Sequence, residues 1–346
     1  MKKTHKLLSM AIISAMVISM LGVSACSSGS GGNGTGGSNS GKLTKVTLNE
    51  VAHSIFYAPQ YAAIELGYFK DEGLDLTLVN GSGADKVMTA LISDDADIGF
   101  MGSEASIYTY ANGSEDYAVN FAQLTQRAGN FLVGREADID FKWENLKGTK
   151  VLGGRAGGMP QMVFEYILKK NGIDPKTDLT IDQSINFGLT AAAFTSSDAD
   201  YTVEFEPFAT ALELEGNGYV VASLGTDSGY VPYTAYCAKK SYLDANPEII
   251  QKFTNAMQRG LEYVNSHTSE EIAQTIKPQF AETPIENIVN IVERYKSQDT
   301  WKNDLVFDKE SFELLQNILE EAGELPERVP YEELVTAEFA KKAIGE

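Results

Sequence analysis

The sequence predicts an α/β protein made of two open strand–helix units followed by a helical tail. Three observations carry that expectation. Runs of alternating apolar residues are separated by helically spaced runs from residue 46 to about residue 124. The same grammar restarts near residue 150 and continues to about residue 238. From residue 246 onward only the helical spacing is left.

Val46, Leu48 and Val51 mark the first strand, and Pro59 then opens a helix that Gly67 ends. Leu74, Leu76 and Leu78 alternate again, so the first unit is strand–helix–strand and its strands should pair in parallel through a right-handed crossover. Residues 85–92 and 104–111 read as helices, with strands at 97–101, 119–124 and 131–133. In the second unit, strands are expected at 150–152, 179–181, 201–204 and 219–222, and helices at 160–170, 189–194 and 207–215. Residues 234–238 read as a strand returning to the first unit. In the tail, Asn246 and Pro247 open a helix whose Ile249, Ile250, Phe253, Met257, Leu261 and Val264 share one stripe. Helices at 285–295 and 312–319 follow, and such stripes are expected to cover the first unit's sheet.

The N-terminal segment reads as an address. Lys2, Lys3 and Lys6 precede an uncharged, largely apolar run from residue 7 to residue 23. Val23, Ser24 and Ala25 before Cys26 resemble the bacterial lipobox, in which the cysteine takes a diacylglycerol and the peptide is cut before it. Residues 27–41 are almost wholly Gly, Ser, Asn and Thr, a composition that buries too little surface to fold and reads as a flexible tether. The organisation expected is a signal peptide over 1–25, a lipidated cysteine with its linker over 26–42, and the folded part beyond.

Of the 346 residues, 28 are Lys or Arg and 48 are Asp or Glu, a net charge of −20. Without the leader and its three lysines the balance is 25 basic against 48 acidic, near −23. A nucleic-acid partner needs clustered basic residues, so none is expected. With Cys26 acylated, Cys237 stands alone, which leaves no disulfide framework and no cysteine metal site. The three histidines, His5, His53 and His267, are too few and too scattered for a metal site or a nucleophilic triad. No cofactor, no metal and no catalytic residue are expected.

In open parallel sheets ligands bind beyond the carboxyl ends of the strands. Four loops qualify: 53–57, with His53, Ser54 and Tyr57; 81–83; 102–104, with Gly102 and Ser103; and 153–159, with Arg155, Gly157, Gly158 and Met159. Glycines in the last loop let backbone amides approach a ligand, and Arg155 adds a fork of donors. It lacks the lysine and Ser/Thr of a phosphate loop. His53 and Tyr57 suit ligand contact or packing alike, whereas Gly81 and Gly83 read as turn residues and Tyr233 as packing. Glu204 and Glu206 flank Phe205 at alternate positions, which on a strand share one face; Glu206 suits ligand contact or service at a helix start.

The stretches Phe56-Tyr57-Ala58-Pro59-Gln60-Tyr61-Ala62-Ala63, Gly67-Tyr68-Phe69-Lys70 and Glu72-Gly73-Leu74-Asp75 resemble the N-terminal signature of ABC transporter solute-binding proteins for nitrate, sulfonates, taurine and thiamine-pyrimidine precursors. Ala96-Asp97-Ile98-Gly99, Leu146-Lys147-Gly148, Val231-Pro232-Tyr233 and Asn246-Pro247-Glu248 fit later landmarks of the same family. The resemblance implies a two-lobed type II periplasmic-binding fold, each lobe a mostly parallel sheet flanked by helices, with the helical tail. Lobe 1 would be 43–126 plus 236–346 and lobe 2 would be 127–235, hinged near Arg127 and Tyr236. It also implies an extracytoplasmic, lipid-anchored monomer that takes a small polar or anionic organic solute into the cleft and delivers it to the permease and ATPase subunits of an importer. The glycine loop with Arg155 suits an anionic or strongly polar head group, and Phe56, Tyr57 and Phe205 suit a stacked ring. An alternative from another class is an enzyme resembling the pyrimidine-precursor synthase of thiamine biosynthesis. That branch carries a cysteine-rich run before the return strand, where this chain has only Cys237.

Overall fold

The computed structural model describes residues 42–185, 188–325 and 327–346. Cys26 and the leader lie outside the described residues. Ten strands form two five-stranded sheets. The first, ordered β2-β1-β3-β10-β4, uses β1 Thr44–Glu50, β2 Leu74–Asn80, β3 Ile98–Gly102, β4 Ala118–Thr125 and β10 Thr234–Lys239. The second, ordered β7-β6-β8-β5-β9, uses β5 Asn130–Gly134, β6 Lys150–Leu152, β7 Thr180–Asp182, β8 Tyr201–Phe205 and β9 Tyr219–Ser223. In each sheet one strand opposes the rest: β10 is antiparallel to β3 and β4, and β5 to β8 and β9. The remaining pairings, β1 with β2 and β3 and β6 with β7 and β8, are parallel. The opposed strands are the two by which the chain arrives from the other sheet, so each sheet is mixed by the same device. The architecture is that of the two-lobed periplasmic-binding fold.

The crossing segments are short and tied together. β4 leads into β5 through Gln126–Gly129, and the return passes through helix Leu224–Ser228 to β10. Val231 donates its amide to the Gln126 carbonyl at 2.8 Å, and Arg127 donates to the Gly225 carbonyl at 3.1 Å while lying over the Tyr230 ring.

The tail covers the first sheet, as its apolar stripe requires, and it also does more. Helix Pro247–Ser266 buries Ile250, Phe253, Met257, Leu261 and Val264. Phe253 meets the rings of Tyr236 on β10 and Phe121 on β4 edge-on. The same helix packs on helix Ala58–Glu65 so closely that a side chain at Gly260 would strike the Pro59 carbonyl. Helix Ile285–Ser297 then reaches the crossing segments. The Tyr295 hydroxyl donates to the Gly129 carbonyl at 3.0 Å, and Gln298 just beyond donates to the Ala128 carbonyl at 3.1 Å and accepts from Ser223 at 2.7 Å. Helix Ser269–Ile276, with its Thr268–Glu271 capping box, was not expected from the sequence. Among the described residues no helix is long and apolar enough to cross a membrane.

Candidate functional site

A cavity of about 90 Å³ opens where the carboxyl ends of β1, β3, β6 and β8 face one another. Its wall takes Tyr57, Gly102 and Glu104 from the first sheet's loops, Arg155, Gly158 and Met159 from the glycine loop after β6, Val203, Glu204 and Phe205 at the end of β8, and Phe208 at the start of the helix that follows. Asn130 and Tyr233, at the ends of the crossing segments, complete it.

The wall is aromatic, and its buried charged groups are acidic. Glu104 opens helix Glu104–Ala111 and is 2 % exposed. Its carboxyl folds back over Gly102, where any side chain would collide with it. Burial pushes this carboxyl up to about 7, against the opposing pull of its own amide, the Met159 amide and the Arg155 charge. Glu204, on β8, is also pushed to about 7 by burial, although the Thr202 and Thr190 hydroxyls donate to its two oxygens at 2.6 and 2.9 Å. Tyr233 is buried and donates to Asn130 Oδ1 at 2.5 Å, so it packs and lines the cavity at once.

Several bonds join elements of the two sheets around this cavity. Ser54 Oγ donates to the Glu206 carbonyl at 2.7 Å, and the Tyr108 hydroxyl to the Gly157 carbonyl at 3.2 Å. Arg155 approaches Asp85 at 3.5 Å, with both side chains largely in solvent. Ser103 Oγ donates to the Pro232 carbonyl at 2.5 Å.

Of the residues singled out in the sequence, Tyr57, Gly102, Arg155, Gly158 and Met159 line the cavity. Ser54, Ser103 and Gly157 stand just behind it as partners in the bonds above. His53 is turned elsewhere: Nδ1 meets Glu50 at 2.7 Å, Nε2 meets the Gln279 carbonyl at 2.9 Å, and the ring lies against Tyr61 and Phe280. Glu206 lies beyond the end of β8, so the alternation that would pair it with Glu204 stops at Phe205. Its carboxylate accepts from the Thr210 amide at 2.9 Å and pairs with Arg294 at 2.5 Å.

A family model described as NMT1/THI5 like matches residues 55–271, more than half of the chain. The chain belongs to the NMT1/THI5-like family. Within this family's range, a protein of Bacillus subtilis (strain 168) named Putative binding protein YtlA is 47% identical over 304 residues, spanning 88% of this chain and 91% of that protein. The 4-amino-5-hydroxymethyl-2-methylpyrimidine phosphate synthase of Aspergillus parasiticus is 24% identical over 220 residues, 60% of this chain and 63% of the synthase. Among solved structures, the alkanesulfonate-binding protein SsuA from Xanthomonas axonopodis pv. citri, bound to MOPS, superposes with a TM-score of 0.69 at 16% identity, covering 86% of this chain and 100% of that one. The periplasmic nitrate-binding protein NrtA from Synechocystis PCC 6803 gives 0.67 at 16% identity, covering 87% and 88%. At such identities these structures establish the NMT1/THI5-like chain's fold and nothing about its ligand.

Proposed function

We propose that this chain is the extracytoplasmic solute-binding component of an ABC importer. The observation that carries the reading is the cavity itself: it lies at the carboxyl ends of strands from both sheets, and the chain passes between the sheets by two short crossing segments. A solute touching both walls favours the arrangement in which they are drawn together, because only that arrangement contacts it from both sides. The high identity to a protein named as a binding protein supports the same reading. In it, residues 43–126 with 236–346 act as one lobe and 127–235 as the other, and the segments near Arg127 and Tyr236 act as the hinge. Residues 1–25 export the chain, Cys26 carries the lipid, and residues 27–42 tether the binder to the membrane. The drawn-together form docks on the permease.

Two measurements test this. A thermal-shift screen of small polar solutes should find ligands, since one at a hundred times its dissociation constant adds roughly 2.7 kcal/mol. Scattering should show the chain compacting with the same ligand. Turnover of any such solute in place of binding, or a screen with no shift at all, would sink the reading. Labelled fatty acid should be incorporated by the wild type and lost on Cys26→Ser.

A further inference from the structure

Two buried polar atoms at the cavity wall have no partner. Glu104 Oε2 makes no hydrogen bond, and neither does Nδ2 of the fully buried Asn130. The Asn130 amide is oriented by the Tyr233 hydroxyl, which occupies its oxygen, so its unused end is a donor. A buried acceptor on the first sheet's side and a buried donor at the start of β5, both left open in one cavity, are set to recognise a solute, because each costs its desolvation until a partner arrives. The groups facing Glu104 are the Tyr57, Tyr108 and Tyr233 rings and Arg155, whose charge is already shared with Asp85. Glu204 adds a second carboxyl to the wall, faced by the hydroxyls of Thr190 and Thr202.

We propose that Glu104 and Asn130 determine specificity in the cleft: Glu104 accepts an N–H from a planar nitrogenous solute bound as a cation, and Asn130 donates to an acceptor on the solute or its bound water. Flat aromatic walls from Tyr57, Phe205, Phe208 and Tyr233 suit a planar cation. Strong-acid anions, sulfonates and nitrate among them, would have to lie against two carboxyls with the Arg155 guanidinium, itself beside Asp85, to oppose them. The inference rests on the transport reading and narrows it to a ligand class.

The test is calorimetry on the purified full chain with two sets of probes: benzamidine and 2-aminopyridine on one side, ethanesulfonate and nitrate on the other. Benzamidinium should bind, and the anions should not. Because benzamidinium keeps its charge throughout, its affinity should fall about tenfold for each pH unit below 7, as the carboxyl takes up a proton. Glu104→Gln should weaken binding at least tenfold and flatten that profile while melting as a folded chain. Asn130→Asp, which exchanges a donor for an acceptor, should instead strengthen binding of both probes as cations. Failure of benzamidinium to bind, binding indifferent to pH and to Glu104→Gln, or tight binding of a sulfonate or nitrate would each overturn the proposal. The sulfonate outcome would leave the transport reading standing, whereas a chain that binds no solute of any class loses both.

Discussion

The Tyr108 hydroxyl lies 3.2 Å from the carbonyl oxygen of Gly157, a bond that joins the helix after β3 to the glycine loop after β6. Gly157 has a left-handed backbone, φ +74°, that a larger residue would hold only under strain, and its amide is fixed by the Gln161 side chain at 2.9 Å. The carbonyl is thus presented rigidly toward Tyr108. Tyr108→Phe removes the donor and keeps the ring. The melting temperature should stay within a few degrees, because the lost bond is worth about 0.5–1.5 kcal/mol. Scattering from the unliganded chain should show a larger radius of gyration, and an unchanged radius would count against a latch here.

Arg294 holds Glu206 from the helical tail. Nη1 meets Glu206 Oε1 at 2.5 Å, and Nη2 meets Glu213 at 2.9 Å. Glu206 is buried, and burial keeps its carboxyl above the usual range even though Arg294 and Thr210 oppose that shift. Arg294→Met strands the carboxylate and should cost about 3–5 kcal/mol in urea unfolding at pH 8. The loss should shrink toward pH 5, where Glu206 can stay protonated. Adding Glu206→Gln to the same chain should recover much of the loss at pH 8.

His53 contributes stability with its own pH window. Burial works against its charged form, yet the hydrogen bond and charge of Glu50 and the Gln279 carbonyl outweigh it, and the net shift is upward from 6.5. A raised histidine stabilises fully below its unfolded value and loses that contribution as pH rises through the folded one. His53→Gln should therefore lose about 1–3 kcal/mol at pH 6 and little at pH 8.5. A pH-independent loss would mean that the ring serves only by packing on Tyr61 and Phe280.

The cleft carboxyls titrate with the same sign. Glu104 and Glu204 go from 4.5 in the unfolded chain to about 7 in the folded one, so the folded state holds more protons between those values. The unliganded chain should lose stability as pH rises from 4.5 to 7, by about 3 kcal/mol for each carboxyl. Glu104→Gln and Glu204→Gln should each flatten the curve in that window and leave the contribution of His53 unchanged.

Most of this frame was legible because it follows from local patterning. The alternation at Leu74, Leu76 and Leu78 and the stripe through Phe253, Met257 and Leu261 appear where the sequence puts them. The glycine loop was legible for the same reason, since Gly158 precedes a helix that carries Pro160 in its first turn. The site's polar content was not. Glu104 reads as an ordinary acidic residue at a helix start, and its burial depends on residues 159 and 233, far away in sequence. Asn130 carries no local signal at all. Glu204 and Glu206 look equivalent in the sequence, and only the end of β8 at Phe205 sends one to the cavity and the other to Arg294. The mixed pairing of β5 and β10 likewise depends on a crossing that no window of sequence contains.

Gly102 is the position at which fold and site can be separated. A methyl group there would overlap the folded-back carboxyl of Glu104, and that obstacle is the far end of a flexible side chain and not backbone. Gly102 also sits at the last position of β3, paired with Thr234, where any residue can hold an extended strand. Gly102→Ala should therefore fold and melt within a few degrees of the wild type, with Glu104 swung away from its place beside the Met159 amide. If Glu104 sets what the cleft binds, this variant should lose binding as Glu104→Gln does, at least tenfold, with its own carboxyl still present. It should also return the Glu104 titration toward 4.5, because the carboxyl regains water, and the stability loss between pH 4.5 and 7 should shrink accordingly. A variant that binds and titrates as the wild type would show that the carboxyl's position over Gly102 is incidental.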